Sequence, residues 1–370
     1  MLRILALEPY LARSHEQFLS GLAEHSRNTI EVWSLPARKW KWRMRTASLH
    51  YAGRLDATAD SWDLILASDY VNLAELRGVA SPRVGRIPCV SYFHENQLTY
   101  PLQPNEFRDY QYAMTHIHQM LCSQCVMFNS SYHREEFLGA TAELLRLVPD
   151  VEVRDLVARL RERSRVLPLG IDDPRVERGP GDGVPIIAWN HRWEYDKNPA
   201  AFLEALIELD ERALPFRLLL LGQRFRTIPP EFRSLLDRLS SRVVDSEFRS
   251  ERSDYLRVLA TADIVVSSAI HEFFGLGTLE AIRAGLYPVL PNDLAYPELL
   301  PDDARRALHL YERSTSLADA LARACAEVRT PSWPARRRVL QDHTDRFHWS
   351  ELAPRYDTVF EEVVAAHLDS

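Results

Sequence analysis

Cysteine is scarce in this chain: Cys89, Cys122, Cys125 and Cys325 are the only four among 370 residues. So few cannot form a disulfide framework in a chain this long, and a reducing cytoplasm is the simplest setting. No apolar run approaches the ~20 residues needed to span a bilayer. The apolar start, Met1 to Leu7, stops at Glu8-Pro9 and reads as a first strand, not a signal peptide. Internal repeats and low-complexity stretches are absent. Net positive charge is absent too: the balance is −7, so no global field recruits nucleic acid and any RNA contact must come from a local patch. No Asp-x-Asp stands near a strand end, so nothing in the sequence calls for a metal. His116 and His118 with Cys122 and Cys125 have the residue types of a zinc site. Two histidines two apart, however, fall on different faces of a helix, and Cys125 opens a strand, so no metal site is expected there.

What is present suffices for two domains with real cores, at 46% hydrophobic and 26% charged residues. Strand candidates Arg3–Leu7, Thr29–Ser34, Asp63–Ser68, Pro88–Phe93 and Cys125–Asn129 alternate with helices near His15–His25, Leu73–Arg77, Glu106–Leu121 and Ser131–Gly139, which argues for a parallel sheet. A helix from Val151 to Ser164 and a last strand within Arg165 to Asp172 should complete this domain. From Asp172 to Pro185 the sequence turns to Asp, Pro, Gly, Glu and Arg and marks a linker. A second alternation follows, with strands at Ile186–Trp189, Phe216–Leu221, Arg242–Asp245, Asp263–Ser267 and Leu286–Leu290. The expected division is 1–175, 184–345 and a final amphipathic segment, 346–370. The fold class is α/β.

The most informative stretch runs from His271 to Glu280 (HEFFGLGTLE), two carboxylates eight positions apart across a Gly-containing turn into a helix that should begin near Thr278. The free N–H groups of such a turn, with the positive end of the helix, suit a phosphate. Glu272 is placed to accept from hexose hydroxyls and Glu280, in the first helical turn, from both hydroxyls of a ribose. An acidic residue also simply suits a helix N-terminus. Arg192 and Lys197 leave the strand Ile186–Trp189 five positions apart, just before Asn198-Pro199 opens a helix. A bidentate guanidinium and a compact ammonium can neutralise a departing diphosphate without a metal. The donor would then lie on Arg192, Lys197, Phe274, Gly275, Leu276, Gly277 and Glu280, with Asp245 near the wall of the base pocket.

In the first half, Arg38-Lys39-Trp40-Lys41-Trp42-Arg43-Met44-Arg45 interleaves five basic residues with two indoles. Cations meet phosphates and indole faces stack on splayed bases, which suits a single-stranded RNA loop. The same residues would also rest on an anionic membrane.

These segments in this order resemble the tRNA-queuosine mannosyltransferase branch of the retaining family 4 glycosyltransferases. LPARKWKWRMR, SYFHENQLTYP, FNSSYHREEFL, WNHRWEYDKNP and HEFFGLGTLEAIRAGLYPVLPNDLAYPELLP carry the likeness from residue 4 to about 301. It implies a GT-B architecture, two Rossmann-like doubly wound domains facing across a cleft, with the last helix returning to the first domain. It implies GDP-mannose as donor, no cofactor, and queuosine in a tRNA anticodon loop, the aspartate isoacceptor foremost, as acceptor. Catalytic candidates are then His94, Arg192, Lys197 and Glu272. Acceptor candidates are Ser14, His15, Arg38, Lys39, Trp40, Lys41, Trp42, Arg43, Arg45, Glu95, Asn96, Asn129, Ser130 and His133. The chain departs from the branch at Tyr10-Leu11-Ala12-Arg13-Ser14-His15, where the branch has Gly-Gly-Ser-His. The alternatives are a family 4 enzyme acting on a lipid or surface polysaccharide, and a catalytically silent RNA-binding protein. Intact Arg192, Lys197, Glu272 and Glu280 argue against the latter.

Overall fold

A computed structural model describes residues 1–103, 106–149, 155–172, 183–222, 230–249, 251–303 and 306–369. The chain divides into two compact units, Met1–Asp172 with Phe347–Ser370, and Asp173–Arg346. Most of the linker segment expected between Asp172 and Pro185 lies outside the described residues, as does the start of the helix expected from Val151.

In the first unit, β1 (Arg3–Leu11), β2 (Thr29–Pro36), β3 (Leu64–Ser68), β4 (Cys89–Phe93), β5 (Cys125–Phe128) and β6 (Ser164–Val166) form one sheet in the order β2-β1-β3-β4-β5-β6. All its pairings are parallel. β3, β4 and β5 are buried along their whole length, which is why their sequences are continuous apolar runs and not alternations. β6 is shorter than the segment Arg165 to Asp172 suggested, because Leu167, Pro168 and Leu169 serve another purpose. Two of their carbonyls meet the C-terminal helix Trp349–Leu368, where Tyr356 donates to Leu167 and Pro168 at 3.1 and 2.8 Å. Its Trp349 ring fills the space above Gly21 and Gly170, where a Cβ would come within 2.0 and 2.3 Å of it.

The second unit repeats the plan with β7 (Ile186–Trp189), β8 (Arg217–Leu220), β9 (Val243–Asp245), β10 (Ile264–Val266), β11 (Tyr287–Pro291) and β12 (Leu310–Tyr311), in the order β12-β11-β10-β7-β8-β9. In each sheet the winding reverses once, between β1 and β3 in the first unit and between β7 and β10 in the second. Ligands of open α/β sheets bind beyond the carboxyl ends at such reversals.

The basic segment, given no secondary structure from the sequence, opens an 18-residue helix, Trp40–Ala57, with Lys39 as its left-handed N-cap. Two local expectations are corrected. The helix after the Gly turn starts at Leu276, not near Thr278, so Glu280 sits in its second turn. The helix expected from Glu106 begins only at Tyr110, with the Asp109 side chain capping it. The four cysteines are free thiols. His116 is fully buried against the rings of Phe93 and Phe137, as a core histidine. Among the described residues no helix is long and apolar enough to cross a membrane.

Candidate active site

At the reversal of the second sheet, β7 hands the chain to Asn190, His191 and Arg192, and β10 hands it to Ser267 through Glu272. The short helical turn Tyr195–Lys197 folds Lys197 back between these two strand ends. Its Nζ donates to the His271 carbonyl at 2.9 Å and pairs with Glu272 at 3.2 Å and Asp196 at 3.0 Å. The turn is fixed from below, where Ser268 donates to the Lys197 carbonyl at 2.8 Å. Burial alone would raise the Glu272 carboxyl and lower the Lys197 ammonium. Lys197, aided by His191, instead holds Glu272 at about 2, and Glu272 with Asp196 raises Lys197 above the ordinary lysine range. Both are charged at any physiological pH.

Gly275 opens the next helix at φ +89°, and no side chain caps that start. A Cβ there would be strained whatever its surroundings. The first-turn amides of Leu276 and Gly277 thus remain available to an anion. Phe274 is buried. Asn190 holds the turn from the opposite strand, donating to the Gly277 carbonyl at 2.8 Å and to the Tyr255 hydroxyl at 2.9 Å. Three buried polar atoms here lack partners among the described residues: Asn190 Oδ1, His191 Nε2 and Thr278 Oγ1. Such groups are costly unless something binds them. Arg192 is exposed and pairs with Glu194 at 3.2 Å. Glu280 is buried and accepts from Arg252 at 2.8 Å. Asp245, at the end of β9, is ion-paired with Arg249. Sequence reading missed Asn190, Asp196, Arg252 and Tyr255. Asn190 and Asp196 lay inside the motif WNHRWEYDKNP, while Arg252 and Tyr255 lay in no motif.

At the reversal of the first sheet, Glu8 ends the apolar part of β1 and stays buried because both oxygens are occupied. Oε1 accepts from the Tyr10 N–H and Oε2 from His15 Nδ1, each at 2.8 Å. The His15 ring stacks on His94, with centroids 3.9 Å apart. Asp69 accepts from the His94 N–H at 3.1 Å. Asn129 donates to the His94 carbonyl and shares a hydrogen bond with His133 Nδ1, both at 2.9 Å, while Ser130 caps the helix by accepting from the His133 N–H. His94, His15, Asn129, Ser130 and His133 therefore form one buried network. Ser14 lies on the same helix as His15. Asn96 is spent on a turn, accepting from Leu98 and Thr99 N–H groups. Glu8, Asp69 and Tyr70 went unread, although a carboxylate ending an apolar strand was the signal for the first.

Glu8, His15 and His94 each bring one ligand atom within 4.8 Å of the others. The rings lie face to face, whereas two imidazoles on one ion must converge in their planes, so the trio fits a hydrogen-bond cluster better than a metal centre. Burial alone would lower the His15 pKa, yet Glu8, then Asp69 and Glu95, push it up to about 9. Burial, with the His15 cation beside it, drives His94 well below the ordinary histidine range. The raised His15 pKa stabilises the fold fully below an unfolded value of about 6.5, and that contribution is lost as pH rises through about 9. Denaturant unfolding of the wild type should therefore lose up to about 3 kcal/mol between these limits. Glu8→Gln should flatten that limb, and an unchanged slope would remove the ion pair.

The helix start Trp40–Arg45 is rooted in this unit. Trp40 is half-buried and packs on Tyr112 with Tyr70, Met44 and Tyr10, while Trp42 stands 63% exposed. Arg45 pairs with Asp109, Arg43 donates to the Pro36 carbonyl, and Lys41 lies over the Trp40 ring. Arg38 and Lys39 are exposed.

Two doubly wound parallel sheets, with a cation grip at the reversal of the second, are the build of a GT-B glycosyltransferase. The catalytic domain of starch synthase IV from Arabidopsis thaliana, bound to ADP and acarbose, shares the fold with a TM-score of 0.72 at 12% identity, covering 98% of this chain and 99% of that one. Residues 3–171 match the model of the tRNA-queuosine alpha-mannosyltransferase N-terminal region, and residues 185–327 that of glycosyl transferases group 1. A tRNA-queuosine alpha-mannosyltransferase of Drosophila melanogaster is 34% identical over 98% of this chain and 97% of its own, so the chain belongs to the tRNA-queuosine alpha-mannosyltransferase family. A GDP-mannose:cellobiosyl-diphosphopolyprenol alpha-mannosyltransferase of Xanthomonas campestris is 24% identical over 55% of this chain and 54% of its own.

Proposed function

We propose that the protein transfers mannose from GDP-mannose to a hydroxyl of the cyclopentenediol of queuosine, in the anticodon loop of aspartate tRNA, in the cytoplasm. The full-length match to the fly enzyme carries this reading. GDP-mannose in the name of the Xanthomonas relative supports the donor. The second unit holds the donor: Lys197, Arg192 and the amides of Gly275, Leu276 and Gly277 take the diphosphate, Glu272 the hexose, Glu280 the ribose, and the end of β9 near Asp245 the base. The first unit holds the acceptor, with His94 as hydrogen-bond partner to a sugar hydroxyl. Retention follows if the departing phosphate oxygen removes the proton of the attacking hydroxyl on the same face of the sugar. The residues then position the reactants and stabilise charge, and no metal is needed.

Queuosine-containing tRNA incubated with a panel of sugar nucleotides, then digested for nucleoside mass spectrometry, should gain one hexose from GDP-mannose alone. Saturating EDTA should leave the rate unchanged, and restoration of a lost rate by Mg²⁺ or Mn²⁺ would overturn the metal-free mechanism. Liposome flotation in place of a tRNA gel shift would favour a lipid acceptor.

Glu280→Ala should weaken nucleoside diphosphate binding roughly 10- to 100-fold, the worth of one charge-assisted hydrogen bond. Calorimetry reads this directly. Unchanged affinity would leave Glu280 with a structural role alone, such as its pair with Arg252.

A further inference from the structure

We infer that Glu95 is the counter-ion for the secondary ammonium that joins the cyclopentenediol of queuosine to its base, an inference that rests on the acceptor proposed above. Glu95 follows β4 and is half-buried. Its Oε1 accepts from the Tyr70 hydroxyl at 2.6 Å and from Gln97 Nε2 at 2.9 Å, which fixes the carboxylate, while Oε2 takes no hydrogen bond from the described residues. Neighbouring carboxylates are committed elsewhere: Glu8 to Tyr10 and His15, Asp69 to the His94 N–H. Glu95, half-buried where Glu8 and Asp69 are buried, keeps an open oxygen within reach of a ligand.

Its placement is what needs explaining. Tyr70, which orients Glu95, also stacks on Tyr10 with centroids 5.1 Å apart and belongs to the aromatic cluster under Trp40. One side chain thus ties the carboxylate to the root of a helix start carrying Arg38, Lys39, Lys41, Arg43 and Arg45. A surface built only for phosphates gains nothing from a carboxylate, since like charges repel. Queuosine carries an alkyl amine that is protonated near neutral pH, a positive group in an otherwise anionic loop. A second observation points to the diol beside that amine. His94 is only 8% exposed, its Nδ1 has no partner among the described residues, and one of its ring nitrogens lies within 4.8 Å of Glu8 and His15. A fixed carboxylate and an unfilled imidazole nitrogen match an ammonium and a hydroxyl.

The test compares three acceptor tRNAs: natural queuosine, queuosine N-methylated so that the amine keeps its charge, and queuosine N-formylated so that it does not. The wild type should tolerate the methyl group within about threefold and lose roughly 10- to 100-fold in kcat/KM on formylation. Glu95→Gln should lose as much on natural queuosine, lose nothing more on formylation, and keep its KM for GDP-mannose. Wild-type rates for Glu95→Gln, an equal formylation penalty in both proteins, or an equal penalty for methyl and formyl would each overturn the inference. If Glu95→Gln does not fold, Tyr70→Phe keeps the ring stack but frees the carboxylate. It should lower kcat/KM for natural queuosine several-fold, and an unchanged value would overturn the inference. Absence of any transfer by the wild type to queuosine tRNA would instead overturn the acceptor assignment, and this inference with it.

Discussion

Lys197→Ala should lower kcat roughly 10²- to 10³-fold, the scale of losing one preorganised charge partner in a dry site. Its side chain is only 11% exposed, and its ammonium sits between Asp196 and Glu272. Its removal takes away the cation nearest the proposed leaving group. It also leaves two carboxylates, Asp196 buried and Glu272 partly buried, set against each other where a diphosphate would have to arrive. Because charge on that group grows towards the transition state, kcat should fall more than donor affinity. Breaking the buried network should cost about 3–5 kcal/mol of stability as well. Arg192→Ala should have a smaller effect on both, since the guanidinium is exposed and water screens its charge. Steady-state kinetics below the variant's own melting temperature separates chemistry from folding. A folded Lys197→Ala enzyme with wild-type kcat would reduce the lysine to a structural strut.

The second large effect concerns tRNA. Trp42→Ala should cost ~1–3 kcal/mol of tRNA affinity, because its exposed indole is free to stack on a base. The melting temperature should not move. Trp40→Ala should do the reverse, lowering stability through its lost contact with Tyr112. Neutralising Arg38 and Lys41 together should raise the KM for tRNA and reduce the slope of log affinity against log salt by about 1.4. Donor affinity should be unaffected. A folded Arg38→Gln/Lys41→Gln enzyme that modifies tRNA at the wild-type rate under sub-saturating conditions would return this helix start to a solvated face.

Much of the architecture was legible because the buried strands of both sheets are short β-branched or leucine-rich runs bounded by turn residues, a pattern set by burial on both faces. The helix Trp40–Ala57 was missed although its buried Met44, Ala47, Ser48, Tyr51, Ala52 and Leu55 recur at helical spacing, because the stripe is built largely of small residues and follows a basic-aromatic run that draws a different reading. Site residues divided in a similar way. Lys197 and Glu272 were readable as charges beside strand ends. Asp196, which shares that lysine, and Arg252, which meets Glu280 from 28 positions away, depend on how the chain returns, and no spacing rule encodes that. Glu8 escaped because it reads first as the end of a hydrophobic run. Only the fold shows that His15 comes round to meet it.

The order in which the chain is made bears on the helix Trp349–Leu368. Its Trp349 and Tyr356 are fully buried in the first unit, and Asp357 accepts from Ser26, Arg27 and Asn28 near the other end of the sequence. All of the second unit is synthesised before these residues leave the ribosome. The second sheet can close on its own contacts while the first still lacks a wall, and the apolar groove flanked by Gly21 and Gly170 stays open to water or a chaperone until Trp349–Leu368 has been made. In a cell, a ribosome stalled within residues 173–346 would release a first unit that is made but unfinished, marked for degradation by the surface its own tail was meant to cover.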